Sequence, residues 1–268
     1  MDKAAFNNIR DLVFKESGIV LGDAKVALVV ARVSRRMNEL GIDKHQAYID
    51  HVKADKTGTE VIKLLDAIST NVTHFFREPD HFDTLRDIVD GWFGEGQDRI
   101  RVWCSASSTG QEPYTISMSL SEIPQARTKN VRILATDIST RALGRAKEGN
   151  YSTEEIEKIP LGLLNKYFVK EKSGNVVRHQ VKADQKKMVL FGRLNLSEFP
   201  FPMKGPLDVI FCRNVMIYFN NELRVKIIGE FERLLKVGGY LMVGHSESLA
   251  GYVGNFQMLR PSVFVKTA

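Results

Sequence analysis

From about residue 100 onward, short apolar runs of strand type alternate with stretches of helical period, and no other feature of the chain restricts its fold as strongly. Residues 99–104 (Arg-Ile-Arg-Val-Trp-Cys) read as a strand, followed by a loop of small residues and a helix opening near Pro113, whose fixed φ suits a first helical turn. Residues 131–136 read as a second strand stopping at Asp137, with Ser139 placed to cap the helix that follows. A third strand spans 207–212, a helix runs from about 221 to 236 and ends at Gly238-Gly239, and 240–243 form the next strand. Strands separated by helices must pair through crossovers, so the expected core is a parallel, doubly wound α/β sheet of Rossmann-like type. Runs at 256–259 and 263–266, turning at Arg260-Pro261, predict a closing hairpin and an antiparallel edge.

Two segments depart from the alternation. Residues 1–69 carry helical spacing only: Phe6, Ile9, Leu12 and Val13 recur before Gly18 and Gly22, and 24–40 place Val26, Val29, Val30, Val33, Met37 and Leu40 on one stripe ended by Gly41. Further helices are expected at 44–53 and 59–69, giving a small all-α N-terminal domain ahead of an α/β domain over 70–268. Between 167 and 193, strand-like pieces at 167–169, 176–181 and 188–191 are joined by Ser173-Gly174-Asn175 and a basic turn. They predict a small antiparallel β subdomain inserted at 167–193.

Composition limits the surroundings. No apolar run in the 268 residues approaches the roughly 20 needed to span a bilayer, and the first residues lack the uninterrupted apolar core of a signal peptide. A cytoplasmic protein without membrane insertion, monomeric by default, is expected. Cys104 and Cys212 both sit in strand-like runs and read as small buried hydrophobes. The net charge of +6 suits an acidic partner, either nucleic acid or a glutamate-rich protein, and does not choose between them.

The loop after the first strand, residues 105–112 (Ser-Ala-Ser-Ser-Thr-Gly-Gln-Glu), lies where a doubly wound sheet binds nucleotide-like ligands. It is neither G-x-G-x-x-G nor a P-loop. Glu112 would repel a pyrophosphate and attract an ammonium, which disfavours NAD or ATP and favours S-adenosylmethionine; as a bland alternative it is a helix-capping carboxylate. Asp137 can accept both hydroxyls of a ribose, or simply begin a turn.

Four motifs then bear a family resemblance. Residues 71–78 (Asn-Val-Thr-His-Phe-Phe-Arg-Glu), Trp103 with 108–114 (Ser-Thr-Gly-Gln-Glu-Pro-Tyr), 211–219 (Phe-Cys-Arg-Asn-Val-Met-Ile-Tyr-Phe) and 244–248 (Gly-His-Ser-Glu-Ser) occur in the order of the chemotaxis receptor methyltransferases. Gln111 stands where that family often has Glu. The resemblance implies an S-adenosylmethionine methyltransferase sheet and S-adenosylhomocysteine as product. It places Asn71, Thr73 and Arg77 at the methionine end of the cofactor, Glu112 at its amino group and Asp137 at its ribose. Asn195 and Leu196 would flank the adenine, with Arg213 and Asn214 lining the same pocket. The implied reaction is methyl esterification of glutamate side chains on the cytoplasmic helices of chemoreceptors, for sensory adaptation.

A glutamate side chain titrates in water near pH ~4.3 and is ionised at neutral pH, so methyl transfer to it needs no general base. The sequence offers no Ser-His-Asp or Cys-His set. Arg77, with a planar fork matched to a carboxylate, and Tyr218, with one directed hydroxyl, are the expected catalytic donors. His74, His81 and His245 are not spaced as a metal site, and no metal is expected. Lys25, Arg32, Arg35 and Arg36 form a basic strip on the second helix, a candidate docking surface for an acidic receptor helix. The β insertion, with Arg178, Lys182, Lys186 and Lys187, is a candidate site for strand addition by a receptor C-terminal tail. Two other readings stay open: a nucleic-acid methyltransferase, though Asn/Asp-Pro-Pro-Tyr and catalytic Pro-Cys signatures are missing, and a non-catalytic S-adenosylmethionine-binding interaction protein.

Overall fold

A computed structural model describes residues 3–249 and 251–268; Met1 and Asp2, the first two positions of the expected helical domain, lie outside the described residues. Four helices come first: α1 (Lys3–Ser17), α2 (Val26–Leu40, entered through a 3-10 turn at Asp23–Lys25), α3 (His45–Ala54) and α4 (Thr59–Ile68). Their apolar positions recur every three or four residues and so share one face. Ile9 and Val13, Val29, Val33 and Met37, Tyr48, Ile49 and Val52, and Leu64, Leu65 and Ile68 converge in one buried cluster. Gly41, at φ +67°, closes α2 in the left-handed conformation that glycine adopts without strain; its N–H bonds Asn38 and that of Ile42 bonds Met37.

Next come α5 (Asp80–Gly94), β1 (Arg99–Cys104), α6 (Gln111–Ser121), β2 (Asn130–Asp137), α7 (Thr140–Glu148), β3 (Asn150–Ser152), α8 (Leu161–Tyr167), β4 (Phe168–Ser173) and β5 (Val176–Val181). The chain finishes with α9 (Ala183–Met188), β6 (Val189–Arg193), β7 (Leu207–Cys212), α10 (Asn221–Leu234), β8 (Leu235–Val243), β9 (Phe256–Arg260) and β10 (Val263–Lys266). Seven strands form one sheet in the order β6-β2-β1-β7-β8-β10-β9, and β3-β5-β4 form a second, smaller one. From β1 the chain builds outward through β2 to β6, then returns to the other side of β1 with β7. The order therefore reverses between β1 and β7, and the crevice above their carboxyl ends is the natural ligand position.

The central strands are buried on both faces, and period-2 alternation assigns each residue to a side. Val102, Cys104, Val209 and Phe211 join Phe82, Leu85 and Val89 of α5 and Ile116 of α6 on one face. Trp103, Ile210 and Cys212 join Ile227, Ile228 and Phe231 of α10 on the other. Trp103 is wholly buried, donates its indole N–H to Thr136 Oγ1 at 2.9 Å, and meets Phe201 and Phe231 edge-on. Truncating it to alanine would cost about 3–5 kcal/mol.

Two expectations need correction. Residues 189–193 do not belong to the β insertion: β6 pairs in parallel with β2, Ile133 opposite Val189 through Asp137 opposite Arg193. The six-residue α9 supplies the crossover, and the small antiparallel sheet recruits β3 in place of 188–191. The α10 helix ends at Leu234, and β8 already begins at Leu235, running through Gly238-Gly239 with an irregularity in its pairing to β7. The closing hairpin does form an antiparallel edge, with β9 outermost. β10 lies between β8 and β9, antiparallel to both.

Candidate functional site

The crevice above β1, β2 and β7 opens into a pocket closed on its far side by the helical domain. Asn71, Thr73, Arg77, Ser108, Glu112, Asp137, Arg213, Asn214 and Tyr218 line it together with Ile19, Leu21, Lys25, Leu28, Val29 and Arg32. A second, more apolar recess shares Ile19, Asp137 and Tyr218 and continues past Leu194, Asn195 and Leu196. Every residue expected at a cofactor thus borders one continuous cleft.

Local structure explains the cleft. Gly110, at φ +99°, opens α6; a Cβ there would lie 2.6 Å from Tyr151 Oη and 3.0 Å from Ala146, so both conformation and space demand glycine. Glu112 falls in the first turn of α6 and faces the cleft. Asp137 ends β2: Ser108 N donates to its Oδ2 at 2.8 Å and Ser139 N to its Oδ1 at 2.9 Å, while Ser139 Oγ caps α7 by accepting from Ala142 N. Ser139 is the cap, while Asp137 both begins the turn, through Ser139 N, and holds the loop after β1, through Ser108 N. Burial raises its pKa, and the backbone N–H groups oppose the shift. Each of its oxygens keeps a second lone pair for a hydroxyl.

The charged end of the cleft is a chain of ion pairs. Arg213, whose side chain is wholly buried, places Nη1 3.2 Å from Glu112 Oε2 and Nη2 3.1 Å from Glu78 Oε2, and Nη2 also donates to the Arg77 carbonyl. Glu112 is therefore not a lone carboxylate awaiting an ammonium; it already shares its charge with Arg213 and accepts a weak bond from Cys104 Sγ at 3.2 Å. Burial pushes Glu112 above its ordinary range, with Arg213 opposing. Burial acts on Glu78 in the same sense, but Arg213, Asn214 and His245 hold it below the usual carboxylate value. Arg213 Nη1 lacks a hydrogen bond of proper geometry. That buried nitrogen, on a side chain that borders the cleft, can take an added carboxylate, while Glu112 can take an adjoining ammonium. S-adenosylmethionine, with both groups at one end, a ribose and an apolar base, fits the residues present.

Arg77 is about one-third exposed at the mouth, with Nη1 3.2 Å from the Val72 carbonyl and Nε 4.0 Å from Glu78. The loose pair with Glu78 leaves most of its guanidinium donors free. Tyr218 has Lys25 Nζ 4.5 Å above its ring, and its hydroxyl makes no hydrogen bond among the described residues. Asn195 differs from expectation: its amide is consumed by Glu16 O, Glu198, and the N–H and hydroxyl of Ser197. It shapes the wall and does not offer its side chain.

The basic strip on α2 is largely tied down. Arg36 forms a two-pronged pair with Glu60 at 2.9 and 2.6 Å, and Arg32 Nη1 donates to the carbonyls of Ile68 and Ser69 at 2.5 and 3.1 Å. Of the four cations, Arg35 alone is exposed with only a 3.8 Å contact, to Glu39. Two residues that the sequence reading passed over matter here. Glu247 accepts four backbone N–H groups, from Asn214 (2.7 Å), Val215 (2.9 Å), Ile217 (3.3 Å) and Gly244 (2.7 Å). It thereby fixes the loop after β7, where Asn214 has φ +57°. Glu78, within the 71–78 motif, accepts from Arg213 and Asn214 of that loop and from His245 N after β8, joining the two loops. Of the histidines set aside on spacing, the fold brings His81 and His245 to within 5.0 Å ring to ring, whereas His74 Nδ1 contacts the Phe75 carbonyl.

Comparison with known proteins agrees with this geometry. Residues 71–265 match the family model for the CheR methyltransferase, SAM binding domain, and 4–69 that for the CheR methyltransferase, all-alpha domain. The chain is 36% identical to a chemotaxis protein methyltransferase of Borreliella burgdorferi, covering 98% of this chain and 94% of that one. It is 34% identical to those of Salmonella typhimurium and Escherichia coli, covering 98% of this chain and 90% and 91% of theirs.

Proposed function

This chain belongs to the CheR methyltransferase family, and from that premise we propose that it esterifies glutamate side chains of chemoreceptors with the methyl group of S-adenosylmethionine. The observation that carries the reading is one cleft holding Glu112 and Arg213 at its charged end, Asp137 at its middle and an apolar recess beyond, with Arg77 and Tyr218 at the mouth.

Bound there, S-adenosylmethionine supplies a methyl group made electrophilic by a sulfonium. The protein's part is positional. Asn71 and Thr73 wall the methionine end, Glu112 and Arg213 hold its charged groups, and Asp137 accepts from the ribose. The apolar side chains of Ile19, Leu21, Leu28 and Val29 keep water from the cleft. Arg77 and Tyr218 donate to the incoming carboxylate and aim one of its oxygens. No group of the protein accepts a proton, because the nucleophile arrives ionised.

The acidic receptor helix would approach along the groove between α2, α4 and α7, lined by Arg32, Arg35, Arg36, Glu39, Lys63, Asp66 and Arg141. Arg32 borders both this groove and the cofactor cleft, so a helix lying in the one leads to the other. Arg35 and Lys63 carry the attraction, while Arg36 and Arg32 hold the groove's shape. The edge strand β4, exposed over most of its length, is the place for strand addition by a receptor tail. The enzyme works as a monomer in the cytoplasm, where the receptor's signalling helices lie; no described helix is long and apolar enough to cross a membrane.

The test is incubation of purified protein with methyl-labelled S-adenosylmethionine and receptor cytoplasmic fragments. Counts released as methanol by base establish a glutamyl ester; label that is stable to base, or that enters RNA instead, refutes it.

A further inference from the structure

We propose that Glu78, His81 and His245, with Asp80 as fourth ligand, form a binding site for a divalent transition ion of the zinc type. One ligand atom from each of Glu78, His81 and His245 lies within 4.8 Å of the others. The decisive detail is the state of His81, which is completely buried. Ser262 Oγ donates its hydrogen to the Pro261 carbonyl at 2.6 Å, so its 2.8 Å contact with His81 Nε2 requires the ring N–H to donate. His81 Nδ1 then carries a lone pair, has no hydrogen-bond partner, and lies 3.7 Å from Glu78 Oε2. Glu78 Oε2 already accepts from Arg213 and from His245 N, but the buried Nδ1 of His81 is left with no donor or cation, a want that an ion between the two resolves.

His245 stands beside the same point, with Asp80 next to it in turn. His245 Nε2 is 4.0 Å from Glu78 Oε2 and 3.2 Å from Asp80 Oδ2, and its ring packs edge-on against that of His81. A tetrahedral zinc ion with bonds of about 2.0–2.1 Å separates its ligand atoms by roughly 3.3 Å. The observed 3.7 and 4.0 Å therefore need to close by roughly 0.4 and 0.7 Å, a movement open to His245, whose side chain is half exposed. Two imidazoles with carboxylates are a zinc, cobalt or nickel donor set, not one for calcium or magnesium. The Ser262 hydroxyl fixes the His81 tautomer, as the outer partner of a metal-bound imidazole does. Arg213 is the cation nearest the site, and its charge is shared with Glu112. Asp80 and Glu78 together leave room for two positive charges beside it.

Such an ion would join the loop before α5 to the loop after β8, both of which border the charged end of the cleft. Titrating the untagged, full-length protein with Co(II) tests this. One equivalent should give the intense visible bands of a tetrahedral nitrogen and oxygen site, Zn(II) should erase them, and Zn(II) should raise the melting temperature by several degrees, as any ligand of the folded state does. His245→Ala, at an exposed position, should weaken binding at least tenfold and remove the melting shift; His81→Gln, if it folds by circular dichroism, should do the same. His45, His51, His74 and His179 remain in both variants, so casual surface binding would survive there. Absence of the bands in the wild-type protein, or equal affinity in His245→Ala, overturns the proposal.

Discussion

Arg213 Nη1 lies 3.2 Å from Glu112 Oε2, the two side chains almost entirely withdrawn from water at the end of the cleft where the cofactor's charges belong. A cofactor bearing both an ammonium and a carboxylate can be received by this pair without leaving either partner uncompensated. An unpaired buried charge costs far more than a shared one.

Glu112→Gln should therefore weaken S-adenosylhomocysteine binding by about 1.5–3 kcal/mol, roughly 10- to 100-fold, measured by calorimetry. Because burial raises the Glu112 pKa, the wild-type affinity should begin to fall on acidification at a pH above the ordinary carboxylate value. The ionised form binds the ammonium, so loss follows protonation, and the glutamine variant should lack that pH dependence.

Arg77→Ala should lower kcat by about 100-fold or more with the melting temperature nearly unchanged, since Arg77 makes only loose contacts at the mouth. Tyr218→Phe should lower kcat while S-adenosylhomocysteine affinity stays within about twofold, because the change removes a hydroxyl that holds no other part of the cleft wall. Rapid-quench methylation with parallel calorimetry separates the two effects.

Glu247→Gln should destabilise the protein by about 3 kcal/mol and abolish measurable cofactor binding. Four backbone donors would lose an ionised acceptor, and the loop bearing Arg213 and Asn214 would no longer be fixed. Urea unfolding and calorimetry check this.

Glu60→Gln probes the helical domain through pH. Burial acts to raise the Glu60 pKa, but Arg36 and Tyr48 hold it below the usual value. With the folded pKa depressed, its stabilisation is present above the unfolded pKa near 4.5 and is lost as pH falls through the folded value. The variant should be destabilised by about 2–3 kcal/mol at neutral pH and show a flatter loss of stability in the acid range.

Arg35→Glu should raise the KM for receptor several-fold at low salt and much less at high salt, without altering stability, as befits an exposed cation. Reversing Arg36 would instead break the pair with Glu60 and unfold the domain, so it is not a docking test.

Most strands were legible because residues 99–104 and 207–212 end in short apolar runs, Val-Trp-Cys and Val-Ile-Phe-Cys, of the kind a sheet buried on both faces takes. The strand at 189–193 escaped because a five-residue strand looks the same whether it joins a hairpin or a crossover, and the α9 helix between is short and basic enough to pass for a turn. The α2 cations were visible, but their partners, Glu60 and the Ile68 carbonyl, belong to another helix and leave no mark on the spacing. Glu247 was hidden for a related reason: it acts on backbone N–H groups some 30 residues away, which every sequence possesses. That Glu112 and Asp137 border the cleft was legible from their places at strand and helix ends, whereas the bridge from Arg213 to Glu112 and Glu78 required the fold.

Ile19, Leu21, Leu28 and Val29 come from the helical domain yet face Glu112 and Asp137 across the cleft. A cofactor held in this cleft would lie between the helical domain and the sheet. Deleting residues 3–69 would not yield a smaller catalyst with poorer target choice; it would strip one jaw from the vice and leave the cofactor open to solvent.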